Sequence, residues 1–213
     1  MNRTIAVLAV QGAFIEHQRR LESLGCTVVQ LRQEADLDQP FDGLVLPGGE
    51  STVQAKLLHE LGLFDPLRQH IVGGLPTLGT CAGLILLAEH VEGTGDLAGR
   101  DEALASERTA VDGFHTLPVT VQRNAYGRQL GSFQAEAPLV AALATGPITE
   151  PGTTPVPLTF IRAPRIEAVG ADVEVLVSYG EYPVAVRYNK QLGTAFHPEL
   201  TSDNRIYELF LSL

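Results

Sequence analysis

The stretch Leu78-Gly79-Thr80-Cys81-Ala82-Gly83-Leu84-Ile85-Leu86-Leu87-Ala88 constrains this chain more than any other. The apolar run ending in Gly79 reads as the end of a strand, and the apolar run after Gly83 as the start of a helix. Between them lies Gly-x-Cys-x-Gly, with one thiol at the corner. This is the sulfur counterpart of the Gly-x-Ser-x-Gly nucleophile elbow, in which small neighbours permit a strained strand-to-helix turn that exposes the nucleophile. A helix N-terminus behind the sulfur favours the thiolate, the form that attacks. A buried cysteine packed between two glycines has the same local pattern, so the elbow needs support from elsewhere in the chain.

The flanking segments supply the frame. Thr4 to Val10 is almost wholly apolar, as expected of a parallel strand covered on both faces. Gln11-Gly12 ends it. A helix follows from Phe14 to Leu24, with Phe14, Leu21 and Leu24 on its apolar side and Gly25 as its stop. Cys26 to Leu31 is a second strand, which completes a βαβ opening and argues for a parallel sheet. Gly43 to Leu46 reads as a third strand, Val53 to Leu63 and Phe64 to Val72 as helices, and Pro76 to Leu78 as the strand entering the elbow. Strands are expected at Leu117 to Gln122, from Ser132-Phe133, at Leu158 to Ile161, at Val173 to Tyr179 paired with Tyr182 to Tyr188, and at Leu192 to Phe196. Asp203 to Leu213 reads as a terminal helix. Glu92 to Thr116 and Gly146 to Pro157 read as polar or Pro/Gly-rich surface loops without chemistry. No internal repeat or linker interrupts the pattern, so one domain over residues 1–213 is expected. In an open α/β sheet, ligands bind outside the carboxyl ends of the strands, where the Gly-, Gln-, Glu-, Ser- and Cys-bearing loops collect.

Composition removes several function classes. Fifteen basic against twenty-five acidic side chains give a net charge of −10, which disfavours nucleic-acid binding through clustered Lys and Arg. The apolar runs fall short of the roughly 18 residues of a membrane span. Met1-Asn2-Arg3-Thr4 leads straight into the first strand with no cleavage-site pattern, so a cytoplasmic protein is expected. The two cysteines, Cys26 and Cys81, stand apart, and neither a disulfide framework nor a zinc site is indicated. No metal or cofactor is expected. Cys26 reads as a small core residue at a strand start.

A thiol nucleophile needs a base, and the base needs an orienting partner. His17, His59, His70 and His90 fall on helices or their ends among polar neighbours and read as solvated; His115 lies in the loose insertion. His197 ends a buried strand where the cleft should be. Glu199 stands two residues on, the same side of an extended backbone, from which it can fix the imidazole tautomer. Pro47-Gly48-Gly49-Glu50-Ser51 has the form of a backbone nest that gathers N–H groups on a negative oxygen. Together with the N–H of Ala82, one such amide makes an oxyanion hole. No Gly-Lys-Ser/Thr follows, so this is not a P-loop.

Taken together, Leu46-Pro47-Gly48-Gly49-Glu50-Ser51-Thr52, Gly79-Thr80-Cys81-Ala82-Gly83 and Phe196-His197-Pro198-Glu199-Leu200-Thr201 resemble a class I (triad) glutamine amidotransferase. More narrowly, the chain resembles the glutaminase subunits of pyridoxal 5′-phosphate synthases. That match rests on Leu8-Ala9-Val10-Gln11-Gly12-Ala13, on Arg123-Asn124-Ala125-Tyr126-Gly127-Arg128-Gln129 with Ser132-Phe133, and on Phe160-Ile161-Arg162-Ala163-Pro164. The motifs come in the family's order and span nearly the whole chain. The resemblance implies an open, mostly parallel, three-layer α/β fold of flavodoxin-like type. It implies Cys81 as nucleophile, His197 as general base and acid, Glu199 as the residue orienting His197, and Gly49 and Ala82 as oxyanion donors. Gly49, Glu50, Ser51, Arg123, Ile161 and Arg162 match the family's glutamine contacts. The chemistry agrees, because a free amino acid offers a carboxylate to an arginine fork and an ammonium to an acidic side chain or carbonyl.

The reaction implied is hydrolysis of L-glutamine to L-glutamate and ammonia. The partner implied is a barrel-shaped synthase subunit that combines the ammonia with ribose 5-phosphate and glyceraldehyde 3-phosphate. The family's complex holds twelve subunits of each kind, and the isolated glutaminase is expected to be poorly active. Two features depart from the pattern. Gln134 stands where the family has Glu after Ser-Phe, and the two loops are long. The alternative within enzymes is a triad amidotransferase serving a different synthase; such an enzyme needs neither the Arg123 nor the Phe160 motif. A non-catalytic subunit should have lost Cys81, His197 or Glu199. A cysteine peptidase or thiol stress protein has no need of the Pro47 loop together with the late His-Pro-Glu.

Overall fold

The computed structural model describes residues 3–93, 111–123, 125, 131–139 and 155–213. Its centre is a seven-stranded sheet. In chain order the strands are β1 (Thr4–Leu8), β2 (Thr27–Leu31), β3 (Gly43–Leu46), β4 (Thr77–Thr80), β10 (Glu174–Tyr179), β11 (Tyr182–Tyr188) and β12 (Gln191–Thr194). Their spatial order is β10-β11-β12-β4-β3-β1-β2. β2, β1, β3, β4 and β12 run parallel, while β10 and β11 extend one edge antiparallel. The sheet is therefore mostly parallel, as the βαβ reading predicts.

The helices lie on both faces, and side-chain alternation along β4 shows it. α1 (Phe14–Ser23) meets the sheet at Thr80, whose side chain touches His17. The neighbouring Gly79 faces α4 (Ala82–Leu87), because a Cβ there would lie 2.8 Å from Leu87. Successive strand residues point to opposite faces, so α1 and α4 cover opposite sides. α2 (Ser51–Glu60) packs with α4, α3 (Phe64–Val72) packs with α2, and α5 (Arg205–Leu211) joins α1 through Tyr207. Double cover explains why β3, β4 and β12 are buried at every position. Each fully buried Val, Leu or Ile there contributes about 1.5–3 kcal/mol relative to exposure.

Two smaller sheets add to this frame. One holds β5 (Ala88–Glu92), β6 (Leu117–Gln122) and β9 (Arg165–Val169); the other pairs β7 (Ser132–Ala137) with β8 (Val156–Ile161). β5 and β9 have no counterpart in the sequence reading. The helix after Cys81 is only six residues long, and Ala88 turns extended at φ −56°, ψ 136°. An unbroken apolar run carries no period that separates a buried helix from a buried strand, so the boundary was illegible.

The insertion from Glu92 to Thr116 was expected to be a loose surface loop. Residues 94–110 lie outside the described set, but its last part contradicts that expectation. Val111 and Phe114 are buried, the Phe114 N–H bonds to the Leu86 carbonyl at 2.6 Å, and Phe114 stacks on Phe64. Of the loop Gly146 to Pro157, residues 146–154 also lie outside the described set. Among the described residues no helix is long and apolar enough to cross a membrane.

Candidate active site

The loops after β1, β3, β4 and β12 emerge at one end of the sheet, because these strands are parallel. β1 lies between β2 and β3, where the direction of winding reverses, and the cleft opens at such a switch point.

Cys81 stands at the sharp corner between β4 and α4, with φ 49° and ψ −99°. A residue with a Cβ pays about 1–3 kcal/mol for such a backbone, which persists only where surroundings fix it. Here the Cys81 N–H bonds to the Thr194 carbonyl at 2.8 Å, and its carbonyl accepts from Ile85 at 3.2 Å. The two glycines of the motif have a packing cause. A Cβ on Gly79 would lie 2.7 Å from the Gly83 carbonyl, and one on Gly83 would overlap the carbonyl of Leu46. Strand β4, helix α4 and strand β3 approach too closely for any side chain at either place.

His197 follows β12 and is 6% exposed; its N–H bonds to the Thr159 carbonyl of β8 at 2.9 Å. Its Nδ1 lies 2.6 Å from Glu199 Oε1, and Glu199 is also buried. Its Nε2 is buried without a hydrogen-bond partner, and Cys81 is near enough to the ring to act on its charge. Burial opposes a charge on the ring, but hydrogen bonding and charge at Cys81 and Glu199 outweigh it, and the His197 pKa is pushed up to about 10. The Glu199 carboxyl is held below the usual carboxylate range: burial works against its charge, and the imidazoles of His17 and His197 on either side favour it.

The pairing of His197 with Glu199 thus holds, but its backbone differs from the expectation. Residues Pro198–Leu200 form a 3-10 turn, not an extended strand. Pro198 at the first position of that turn, with its φ already fixed, starts it and swings the Glu199 carboxylate back beneath the ring.

The Pro47-Gly48-Gly49-Glu50 loop is pinned from two sides. Ala13 N–H donates to the Gly48 carbonyl at 3.0 Å, and Glu50 N–H donates to Gln11 Oε1 at 2.9 Å. Gln54 Nε2 donates to the Gln11 and Pro47 carbonyls. A trans peptide points its C=O and N–H in opposite directions, so the bond from Ala13 directs the Gly49 N–H away from α1. Glu50 caps α2 by accepting from the Thr52 and Val53 N–H groups. Arg123 Nη2 lies 3.2 Å from Glu50 Oε1. Burial opposes the Glu50 charge, but the Thr52 and Val53 bonds and Arg123 lower its pKa overall. Ser51 is buried in the first turn of α2.

On the far side, the Cys81 thiol points at the Ile161 carbonyl, 3.9 Å away at the end of β8. The next residue, Arg162, is exposed at φ 43°. The fold therefore gathers Cys81, His197, Glu199 and Ile161 directly, Gly49 and Ala82 by adjacency, and Glu50 with Arg123. Asn124 and residues 126–129 of the Arg123 motif lie outside the described set. Gln134 is exposed on β7. Among the described residues no group of three or more His, Cys, Asp and Glu is placed to hold a metal ion. Cys26 is free, half-buried and packed at the edge of the core, where burial pushes its thiol up.

One histidine overturns its expectation. His17 is not solvated: it is wholly buried, with Nε2 3.1 Å from Thr80 Oγ1 and 3.4 Å from Glu199 Oε2, and Nδ1 2.7 Å from the Tyr207 hydroxyl. Burial lowers its pKa, more than the Glu199 charge raises it. The signal was present in the sequence. Phe14, His17, Leu21 and Leu24 fall at spacings of three, four and three, so His17 belongs to the apolar stripe of α1. The other helix-assigned histidines do reach solvent: His59 is 43% exposed by side chain while stacked on Phe64 and paired with Asp112, and His70 is exposed beside Phe41. His90 is exposed too, but on β5 rather than on a helix.

Comparison with known proteins agrees with this geometry. The SNO glutamine amidotransferase family matches residues 7–213. A pyridoxal 5′-phosphate synthase subunit PdxT of Desulfitobacterium hafniense is 51% identical over 207 residues, covering 97% of this chain and 91% of its own length. The protein of the same name from Methanocorpusculum labreanum is 47% identical over 209 residues, covering 98% and 96%. A crystal structure of a glutamine amidotransferase superposes with a TM-score of 0.81 at 35% identity, over 98% of this chain and 97% of that one. A glutamine amidotransferase from Thermotoga maritima, at 15% identity and a TM-score of 0.58 over 99% of this chain and 81% of that one, shares the fold. With the strained cysteine, its buried histidine and the pinned glycine loop all inside the matched span, the chain belongs to the SNO glutamine amidotransferase family.

Proposed function

We propose that this protein hydrolyses L-glutamine through Cys81, His197 and Glu199 and hands the ammonia to a pyridoxal 5′-phosphate synthase subunit. One observation carries the catalytic part. A cysteine held in a strained corner faces a buried imidazole whose other nitrogen is 2.6 Å from a buried carboxylate. A thiolate–imidazolium pair is the state this arrangement favours.

The steps follow from the positions. The Cys81 sulfur attacks the side-chain carbonyl carbon of glutamine and its C=O π pair moves onto oxygen. The Gly49 and Ala82 N–H groups receive that oxyanion. His197 gives its Nε2 proton to the departing nitrogen as the C–N bond breaks, and ammonia leaves a γ-glutamyl thioester. Water then attacks the thioester with His197 as base, releasing glutamate and regenerating the thiol. Glu199 holds His197 in one tautomer and balances its charge throughout.

Substrate contacts fall to Gly49, Glu50, Ser51, Arg123, Ile161 and Arg162. The Glu50 carboxylate and the Ile161 carbonyl suit the α-ammonium, and the arginines suit the α-carboxylate. Ammonia released into water is protonated and lost as a nucleophile, so a shielded route to a docked synthase is needed. The relatives named as synthase subunits support that partner, and the family resemblance extends it to a barrel-shaped subunit in a complex of twelve and twelve. A free catalytic thiol suits a reducing compartment, which supports placement in the cytoplasm.

The test is glutamate release from glutamine with and without the cognate synthase subunit, for the wild type and Cys81→Ala. Release that depends on Cys81 and rises with the synthase is expected. Activity surviving Cys81→Ala would sink the mechanism, and indifference to the synthase would sink the pathway.

A further inference from the structure

The triad leaves one polar atom unexplained. Glu199 Oε2 is buried and has no hydrogen-bond partner of good geometry, although Oε1 is engaged by His197. A buried carboxylate oxygen with nothing donating to it is expensive. His17 Nε2 stands 3.4 Å away.

The protonation of His17 follows from its other contacts. The Tyr207 hydroxyl is 2.7 Å from Nδ1 and is buried, with its own pKa pushed up by burial, so it stays protonated and has a proton to donate. A lone pair on Nε2 would face the Glu199 carboxylate 3.4 Å away, so the neutral ring carries its proton on Nε2 and accepts from Tyr207 at Nδ1. That N–H bonds to Thr80 Oγ1 at 3.1 Å, and the Glu199 Oε2 atom lies 3.4 Å from the same nitrogen. Thr80 is the residue before the nucleophile, on the last position of β4. One ring on α1 thereby ties together the elbow, the His-Pro-Glu turn and the C-terminal helix.

We propose that His17 is a positioning residue for the glutaminase reaction, its neutral Nε2–H, bonded to Thr80 and set against Glu199 Oε2, keeping Glu199 Oε1 on His197. The inference rests on the glutaminase reading above. His17 touches neither substrate nor sulfur; it acts through Glu199. The charged or titratable groups that act on it are Glu199 and His197 from the turn after β12, Glu16 on its own helix, and Tyr207 of α5, which itself feels Arg20. Protonating His17 places a second cation against Glu199, in competition with His197, so the neutral ring is the working form.

Three variants separate positioning from mere packing. His17→Leu fills space without a donor. His17→Gln returns an amide N–H near the Nε2 position and serves as the conservative rescue. Tyr207→Phe leaves His17 in place but removes the bond that sets its tautomer, and is the milder fallback if His17→Leu does not fold. Each variant is assayed with the synthase subunit for kcat and KM across pH, alongside wild type and Cys81→Ala. Independently of glutamine, the rate of iodoacetamide alkylation of Cys81 is followed by peptide mass against pH.

For His17→Leu, kcat falls about tenfold or more with KM within about twofold, the alkaline limb of kcat moves to lower pH, and the rise of Cys81 alkylation with pH, which follows thiolate formation, moves to higher pH. His17→Gln recovers most of the loss, and Tyr207→Phe shifts the limb in the same direction by less. A folded His17→Leu with wild-type kcat and limb positions overturns the inference, as does a His17→Gln no better than His17→Leu. If His17→Leu fails to fold, Tyr207→Phe with unaltered profiles overturns it. Wild-type enzyme that releases no glutamate contradicts the glutaminase reading instead, and the alkylation profile still decides the role of His17.

Discussion

A methyl group at residue 48 should disable the enzyme while leaving it folded. A Cβ added to Gly48 would overlap Cε1 of His197, lie 3.0 Å from its Nδ1 and 3.5 Å from Cβ of Cys81. Comfortable carbon contacts begin near 3.5 Å, so the ring must retreat by about 0.5 Å at Nδ1 and about 1 Å at Cε1. It has little freedom to do so, since Nδ1 is held 2.6 Å from Glu199 Oε1 in a buried setting. Either that bond stretches or the ring turns its Nε2 away from the thiol. A misplacement near 1 Å in a reacting geometry costs about 10²-fold in rate, and the overpacking itself costs about 1–3 kcal/mol of stability. For a chain of this length that lowers the melting temperature by about 2–12 °C. The assay is kcat for glutamine hydrolysis by Gly48→Ala in the presence of the synthase, with a melting curve of the same preparation. A folded Gly48→Ala variant with kcat within about twofold of wild type would refute the claim that His197 is fixed between Glu199 and Cys81.

Further outcomes follow from the same contacts. Glu199→Gln removes the negative charge that favours the imidazolium, so the His197 pKa falls from about 10 and the alkaline limb of kcat/KM moves to lower pH; an unmoved limb would contradict the orienting role. The linked stability has a definite sign: a raised histidine pKa stabilises fully below about pH 6.5, and this is lost as pH rises toward the folded value of about 10. Melting temperature should therefore decline more steeply over that window in wild type than in Glu199→Gln. His17 has the opposite sign, because its pKa is lowered by burial: its contribution is present above about pH 6.5 and is lost as pH falls below, so His17→Gln should lose less stability on acidification, as melting curves would show. Gly83→Ala drives a methyl into the Leu46 carbonyl between β3 and α4, and should destabilise by more than about 3 kcal/mol in denaturant titrations.

What could be read from the sequence divides along physical lines. The parallel strands were legible because double cover forces a nearly unbroken apolar run, as in Ile5 to Leu8 and Gly43 to Leu46. Cys81, His197 and the Pro47 loop were legible because each follows such a run, and strand ends are where a doubly wound sheet opens. β5 was not, because Ala82 to Ala88 gives one apolar run to a short helix and a strand alike. The polar neighbours Glu16 and Gln18 mask the place of His17 in the Phe14, Leu21, Leu24 stripe. Gln54 was missed for a different reason: nothing in its surroundings in the sequence shows that its amide reaches across to the Gln11 and Pro47 carbonyls. The geometry of Glu199 was right in outcome and wrong in route, since Pro198 makes a tight turn where an extended backbone was expected.

The central claim is that the strained thiol at the end of β4, and not the half-buried Cys26, attacks glutamine. Rapid acid quench of the enzyme–synthase complex during turnover, followed by peptide mass analysis, tests it most directly. The account predicts one γ-glutamyl group, chemically a thioester, on the peptide carrying Cys81 and none on the peptide carrying Cys26. A γ-glutamyl group on Cys26, or steady glutamate release by the Cys81→Ala protein, would contradict it.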